Sequence, residues 1–291
     1  MADLASLHSW PVLDHPALVV CLEGWIDAGQ AAATAMATLR ESLPTQMVAT
    51  FDADELIDHR ARRPILRIDA GVEKDLRWPE LRLEAASGAA RGGGRDLLLL
   101  SGPEPDMRWH RFVTEVIALS SRLGVELVLG LGAFPAPVPH TRPVRLAGTS
   151  VDGALAQQIG VVPAIIDVPA GAQGVLEHGF GRAGVASVGL WARVPHYASA
   201  LPYPAASAAL LDRLGALASL EVDTSDLHAA AAVTAAHIDQ LIAGSDEHAA
   251  MVRQLELTHD EEEGLGDTPM GDLPSGDEIA AELERFLRGE R

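Results

Sequence analysis

The sequence predicts an α/β protein: an αβα sandwich around a mostly parallel sheet, followed by a helical C-terminal region. Three observations carry that prediction. Short, almost wholly apolar runs bounded by Gly and Pro alternate with segments of helical spacing, the pattern of strands buried on both faces. The strand-like runs stop after residue 200, where helical spacing takes over. The 291 residues are 48% hydrophobic and 22% charged, so the chain is long and apolar enough to bury a core without disulfides or structural metal.

Leu18–Glu23 reads as a buried strand, Ala28–Ser42 as a helix and Met47–Phe51 as a second strand. Pro64–Ile68 and Leu81–Ala85 read as an antiparallel pair, because Leu81-Arg-Leu-Glu-Ala85 alternates. The glycine-rich run Arg91-Gly-Gly-Gly-Arg95 precedes a strand rather than a helix, so it reads as a hairpin connection and not a phosphate cradle. Asp96–Leu100 is a strand. Met107–Leu123 is a helix, with Phe112, Val116, Ile117 and Leu123 at helical spacing. Glu126–Leu131 and Val144–Gly148 are strands, Val151–Ile159 a helix, Val162–Val168 a strand, Ala172–His178 a helix and Val185–Ala192 a strand.

Beyond the core domain, residues 1–204, helices over 205–258 are expected to pack on the core or on a neighbour. They are Ala205–Ala218, then Asp226–Leu257 as one long helix or as a pair broken near Gly244-Ser245. His259–Pro274 reads as an acidic linker. Residues 275–291 read as an amphipathic tail helix: Ser275 and Glu278 form a capping box, and Ile279, Leu283, Phe286 and Leu287 make one stripe.

The formal net charge is −19, and no basic stripe offers itself to phosphates, so nucleic acid is not an expected partner. The N-terminal residues lack the basic and apolar regions of a signal peptide, and no apolar run reaches membrane-spanning length. Cys21 is the only cysteine and lies in the run Ala17-Leu-Val-Val-Cys-Leu22, which reads as a buried small hydrophobe in a reducing compartment. The expected location is the cytoplasm. Lys74 is the only lysine, which limits any chemistry that needs paired lysines on phosphates.

Open α/β sheets bind ligands at the carboxyl ends of their strands. The loops there supply the candidate pocket residues: Trp25 and Asp27, Glu104 and Arg108, His140 and Arg142, His196 and Tyr197. Each pair also has a structural reading. Asp27 stands before a helix as an N-cap, with Gln30 completing a partial capping box. Glu104 and Arg108 are spaced as a helix-start ion pair. Prolines 137, 139 and 143 stiffen the loop around His140 and Arg142 with or without a ligand. The eleven histidines lack ligand spacing, and no Walker, nucleophile-elbow or His-Glu-x-x-His motif is present, so no cofactor and no metal are expected. Gly130-Leu-Gly132-Ala-Phe-Pro135 has Pro where a dinucleotide fingerprint has its third Gly.

Five blocks taken in order resemble the proteasome assembly chaperone family, in its bacterial branch. They are Leu22-Glu-Gly-Trp-Ile-Asp-Ala-Gly-Gln-Ala-Ala32; Phe51-Asp-Ala-Asp-Glu-Leu-Ile-Asp58 with Arg60-Ala-Arg-Arg-Pro64; Ser101-Gly-Pro-Glu-Pro-Asp-Met-Arg-Trp109; Pro139-His-Thr-Arg-Pro143; and Val194-Pro-His-Tyr197. The resemblance implies a nucleoside-phosphorylase-like αβα sandwich, a homo-oligomer (a trimer), and a scaffold or chaperone role with a protein partner. Some relatives end in a hydrophobic–tyrosine–any-residue motif. This chain ends Arg288-Gly-Glu-Arg291, so docking through such a motif is not expected. Relatives are sometimes labelled ATP-grasp ligases, a chemistry poorly matched to a chain whose one lysine is Lys74.

The residues and the resemblance leave two functions open. One is an oligomeric scaffold or assembly factor. The alternative is an enzyme acting on a small nucleoside-like or carboxylate substrate, with Asp27, Glu104, His140 and Arg142 as acid/base and anion clamp.

Overall fold

The computed structural model describes residues 4–86, 94–162 and 164–266, the last five by backbone alone. Its elements are β1 (Ala5–Leu7), β2 (Ala17–Glu23), α1 (Ala31–Ser42), β3 (Gln46–Phe51), α2 (Ala53–Leu56), β4 (Ile65–Asp69), β5 (Val72–Arg77), β6 (Leu81–Ala86), β7 (Leu97–Pro103) and α3 (Trp109–Arg122). They continue with β8 (Leu127–Ala136), β9 (Leu146–Thr149), α4 (Gly153–Ile159), α5 (Ala172–Arg182), β10 (Ala186–Pro195), α6 (Pro204–Ala218), α7 (Ser225–Ala243) and α8 (Asp246–Gly266).

An eight-stranded sheet has the order β1-β3-β6-β7-β2-β8-β10-β9. Its four central strands, β7-β2-β8-β10, pair in parallel, and the flanking pairs are antiparallel. The parallel centre explains the unbroken apolar runs. Leu97–Leu100 and Ala17–Val20 are buried throughout, because helices cover both faces. One face packs Val19, Leu97, Leu99, Leu129 and Leu190 under α1 and α6. The other packs Leu18, Val20, Leu98, Leu100 and Val128 under α3 and α5. Phe51 and Phe112 meet edge to face in that second layer, 5.2 Å between centroids. Cys21 is buried, as expected, and burial pushes its thiol up to about 12. No described helix is long and apolar enough to cross a membrane.

Several expectations are corrected. Residues Leu81–Ala86 do form a strand, but β6 pairs with β3 and β7 in the main sheet. The predicted partner, 64–68, instead folds onto β5 as a separate two-stranded hairpin. Its turn, Ala70-Gly71, has positive φ at both positions (48° and 82°), which is the backbone twist a two-residue hairpin favours. The described residues of 162–168 are not a strand. The sheet already ends at β9, and Ile165, Ile166 and Val168 stand exposed in irregular chain. The Asp226–Leu257 region resolves into the pair α7 and α8, with Gly244 as the break. Residues 259–266, expected in a linker, continue α8; glutamates 261–263 are good helix formers. Ala28–Gln30 is a 3-10 turn with Gly29 at φ 66° rather than the first turn of α1. Strand β8 runs through Ala136, so the Gly130–Pro135 stretch lies in a strand. β6 and β7 are antiparallel neighbours, so the chain between them does join such a pair. The run 91–93 itself, the rest of the 267–274 linker and the 275–291 tail helix lie outside the described residues.

Gly102 closes the end of β7 at φ 125°, where an added Cβ would collide with the Glu80 carbonyl oxygen. Gly102→Ala is expected to lower stability by more than about 1 kcal/mol, read as a fall in the urea unfolding midpoint at constant slope.

Candidate functional site

The connections of the central strands diverge between β2 and β8. β2 leads through α1 to β3 on one side, and β8 leads towards β10 on the other. That divergence is where open α/β sheets hold ligands. Here an isolated parallel bridge between Asp27 and Ala133 closes it. Asp27 is also a capping residue. Its two carboxylate oxygens accept from the amides of Ala32 (2.8 Å) and Ala33 (3.0 Å) at the start of α1. Gln30, expected to complete the box, sits at φ 53°.

Glu104, at the end of β7, is buried and its carboxylate accepts from the Ala172 amide, the first residue of α5. The chain thus fills its own helix N-terminus with its own anion. Gly171 permits this approach: a side chain there would meet both Glu104 Oε1 and the Trp25 ring. Sequence reasoning missed Arg62 in this group. Its guanidinium lies against Gly24, donates to the Glu104 carbonyl and stands 3.6 Å from Asp106. The block Arg60-Ala-Arg-Arg-Pro64 was the signal that could have found it. Arg108 does not pair with Glu104. It begins α3 at φ 60° and reaches Glu55 at 2.5 Å. Trp25, Ile26 and Met107 remain exposed beside these spent polar groups.

The other four candidates form a second group. The His140 amide donates to the Tyr197 hydroxyl (2.9 Å), and His140 Nδ1 meets the same hydroxyl at 2.9 Å. His140 Nε2 meets Asp239 of α7 at 3.0 Å. One consistent polarity has the hydroxyl donating to Nδ1 and Nε2–H donating to the aspartate. Burial pushes the Tyr197 hydroxyl up to about 12, so it stays protonated and keeps that proton to donate. Next along, Thr141 bonds Glu256 (2.5 Å) and Arg142 grips Asp260 with two contacts of 2.8 Å. The hydrogen bond from Arg142 holds the Asp260 carboxyl below its ordinary range. Arg145 donates to the His259 carbonyl at 3.1 Å. The stiff proline loop is therefore a latch for α7 and α8. His196 is exposed, beside Tyr197 and 3.4 Å from the Ala136 carbonyl.

Sequence reasoning also missed Glu177 of α5. It is buried against Gly130 and Gly189, where a Cβ would collide with its carboxylate, and it accepts from Gln173 (3.2 Å) and Thr149 (3.3 Å). Burial raises its carboxyl to about 7 against those two hydrogen bonds. Among the described residues, no cluster of His, Cys, Asp and Glu could hold a metal. A shallow groove of about 600 Å³ lies away from the strand ends, between α6 and residues 220–223.

Residues 21–242 match the model described as the PAC2 family. Among solved structures, the chain is similar to the Mycobacterium tuberculosis unknown function protein Rv2714, with 37% identity, TM-score 0.81, and 90% of this chain and 92% of that one covered. It is similar to the M. tuberculosis proteasome-assembly chaperone homologue Rv2125, with 37% identity, TM-score 0.75, and 81% and 99% covered. Pyrococcus furiosus PbaA, an archaeal homolog of proteasome-assembly chaperone, shares 17% identity at TM-score 0.55 over 88% and 99%, a likeness of fold alone. Among curated proteins the chain has no match.

Two outcomes are expected. Arg142→Ala releases α8: amide exchange over 246–261 accelerates several-fold while exchange in β2 and β7 is unchanged. Glu177 has a folded value above its unfolded one, so its stabilisation is full below pH 4.5 and is lost as pH rises through about 7. Glu177→Gln is expected to remove that slope and to gain about 3 kcal/mol over the parent at pH 8, read by urea unfolding at each pH.

Proposed function

Because the chain belongs to the PAC2 family, we propose that it is an oligomeric scaffold or assembly factor, working as a homotrimer in the cytoplasm and binding protein at the strand-end edge of its sheet. One observation carries this reading. At that edge Asp27, Glu104 and Arg62 are tied to the chain's own backbone and Arg108 to Glu55, while Trp25, Ile26 and Met107 face outward. Polar groups left unpaired with ligand-sized space between them would favour the enzyme; exposed large apolar side chains favour a protein partner. The 37% identical homologue Rv2125, a proteasome-assembly chaperone homologue, supports the class of partner. Cys21, held as a buried thiol, suits a reducing compartment.

The test is capture with the tagged full chain, followed by native analysis of proteasome particles in a deletion strain. The expected result is a retained proteasome component and an altered distribution of assembly intermediates. Trp25→Ala is expected to cut retention at least tenfold without changing the unfolding midpoint. Normal particle assembly, with no component retained by the parent chain, would overturn the reading.

A further inference from the structure

We propose that the loop 139–145 is a docking site for an acidic helix of a protein partner, one that presents two carboxylates four residues apart, and that α8 occupies this site as an internal competitor. The inference goes beyond the strand-end reading. It uses none of Trp25, Ile26 and Met107, so either can fail without the other.

The loop is shaped by the core rather than by α8. Pro139 and Pro143 fix the backbone at its ends, and Pro137 stiffens the approach from β8. The Tyr197 hydroxyl, just past β10, takes the His140 amide and meets the His140 ring, both at 2.9 Å. Neither bond involves α8. The residues that follow aim their donors at one stretch of that helix, residues 256–260: the Thr141 hydroxyl and the guanidinium groups of Arg142 and Arg145.

The side chains they take from α8 are acids. Thr141 donates to Glu256, and Arg142 reaches Glu256 at 3.5 Å and grips both Asp260 oxygens at 2.8 Å. Glu256 and Asp260 are four residues apart, which puts them on one face of the helix. A planar guanidinium that forks onto a carboxylate reads the geometry of that group as well as its charge. Arg145 adds a bond to the His259 carbonyl, a group every helix has. These contacts therefore fit any helix with acids at that spacing.

α8 is also an imperfect occupant. Between 246 and 261 only its Val252 and His259 are buried, and Leu257 is exposed. Arg142, Glu256 and Asp260 keep a quarter to a half of their side chains in solvent, where ion pairs are weak and salt screens them. His259 is buried with neither ring nitrogen hydrogen-bonded; its nearest carboxylate, Asp260, stands 3.7 Å away. That desolvation cost ends when the helix lifts. A helix with an apolar side chain at the His259 position keeps the carboxylate contacts without it. The outside occupant is acidic because the donors include two guanidinium groups, and it can displace α8 because α8 brings an unpaired polar ring into the interface.

The probe is a fluorescent peptide with the sequence of residues 246–261, titrated by anisotropy against the full chain. Three forms of the chain are compared: the parent; Glu256→Gln with Asp260→Asn, which loosens α8 and spares the loop; and Arg142→Ala, which loosens α8 and damages the loop. Circular dichroism with thermal unfolding checks that each folds. The double variant is expected to bind the peptide about tenfold tighter than the parent, because the tethered competitor is weakened. That binding is expected to fall several-fold as salt rises from about 50 to about 300 mM. Arg142→Ala is expected not to bind, and neither is a peptide carrying Gln and Asn in place of the two acids. Equal binding by the parent and the double variant overturns α8 as a competitor. Equal binding by Arg142→Ala and the double variant overturns the loop as the site. Equal binding of the two peptides overturns recognition of the carboxylates. A double variant that binds neither peptide overturns the proposal as a whole, leaving the loop a latch for α8 alone.

Discussion

Four parallel strands buried on both faces constrain the rest of this molecule. Ala17–Val20, Leu97–Leu100, Leu127–Leu131 and Val188–Leu190 lie side by side and present apolar side chains to both faces. Helices must cover both, every crossover must return over the sheet, and every loop that leaves a strand's carboxyl end arrives at one edge. The polar residues of the chain collect there for that topological reason. Whether they do chemistry depends on how they are then paired.

Here they are paired inward. A free helix N-terminus is an anion site, and a divergence between strands is a ligand crevice. This chain fills the first with Glu104 and closes the second with the Asp27–Ala133 bridge. The same economy recurs at the proline loop, where His140, Thr141 and Arg142 spend their polar atoms on Tyr197, Asp239, Glu256 and Asp260. The acidic helices are held by bonds to a stiff loop, and Ile238 adds a buried apolar contact to the layer beneath α1 and α6. Large apolar side chains remain outward at the edge: Trp25, Ile26 and Met107.

The fold was legible because its signals are local. Apolar runs bounded by Gly and Pro mark parallel strands, and helical spacing marks the covers. The Gly244 break and the Asp27 cap were both visible as residue types in context. Strand neighbours were not legible. Alternation in Leu81-Arg-Leu-Glu-Ala85 says which side chains share a face, and nothing in it says whether the partner is β4 or β3. The 162–168 error has a different origin. Ile165, Ile166 and Val168 are β-branched and apolar, which measures fitness for an apolar surface, whether the same molecule or a second copy supplies it. The pocket residues were legible as positions at strand ends. Their bonds were not, because Asp239, Glu256 and Asp260 lie about a hundred residues from the loop they hold.

The proposed function depends on the strand-end edge being a protein-contact surface. Amide hydrogen exchange of the full chain, compared between dilute and assembled concentrations, tests that most directly. Protection is predicted to rise with concentration over 24–27 and 104–108 together, while β2 and β7 stay unchanged. Protection confined to α7 and α8, with both edge segments exchanging freely at every concentration, would contradict it.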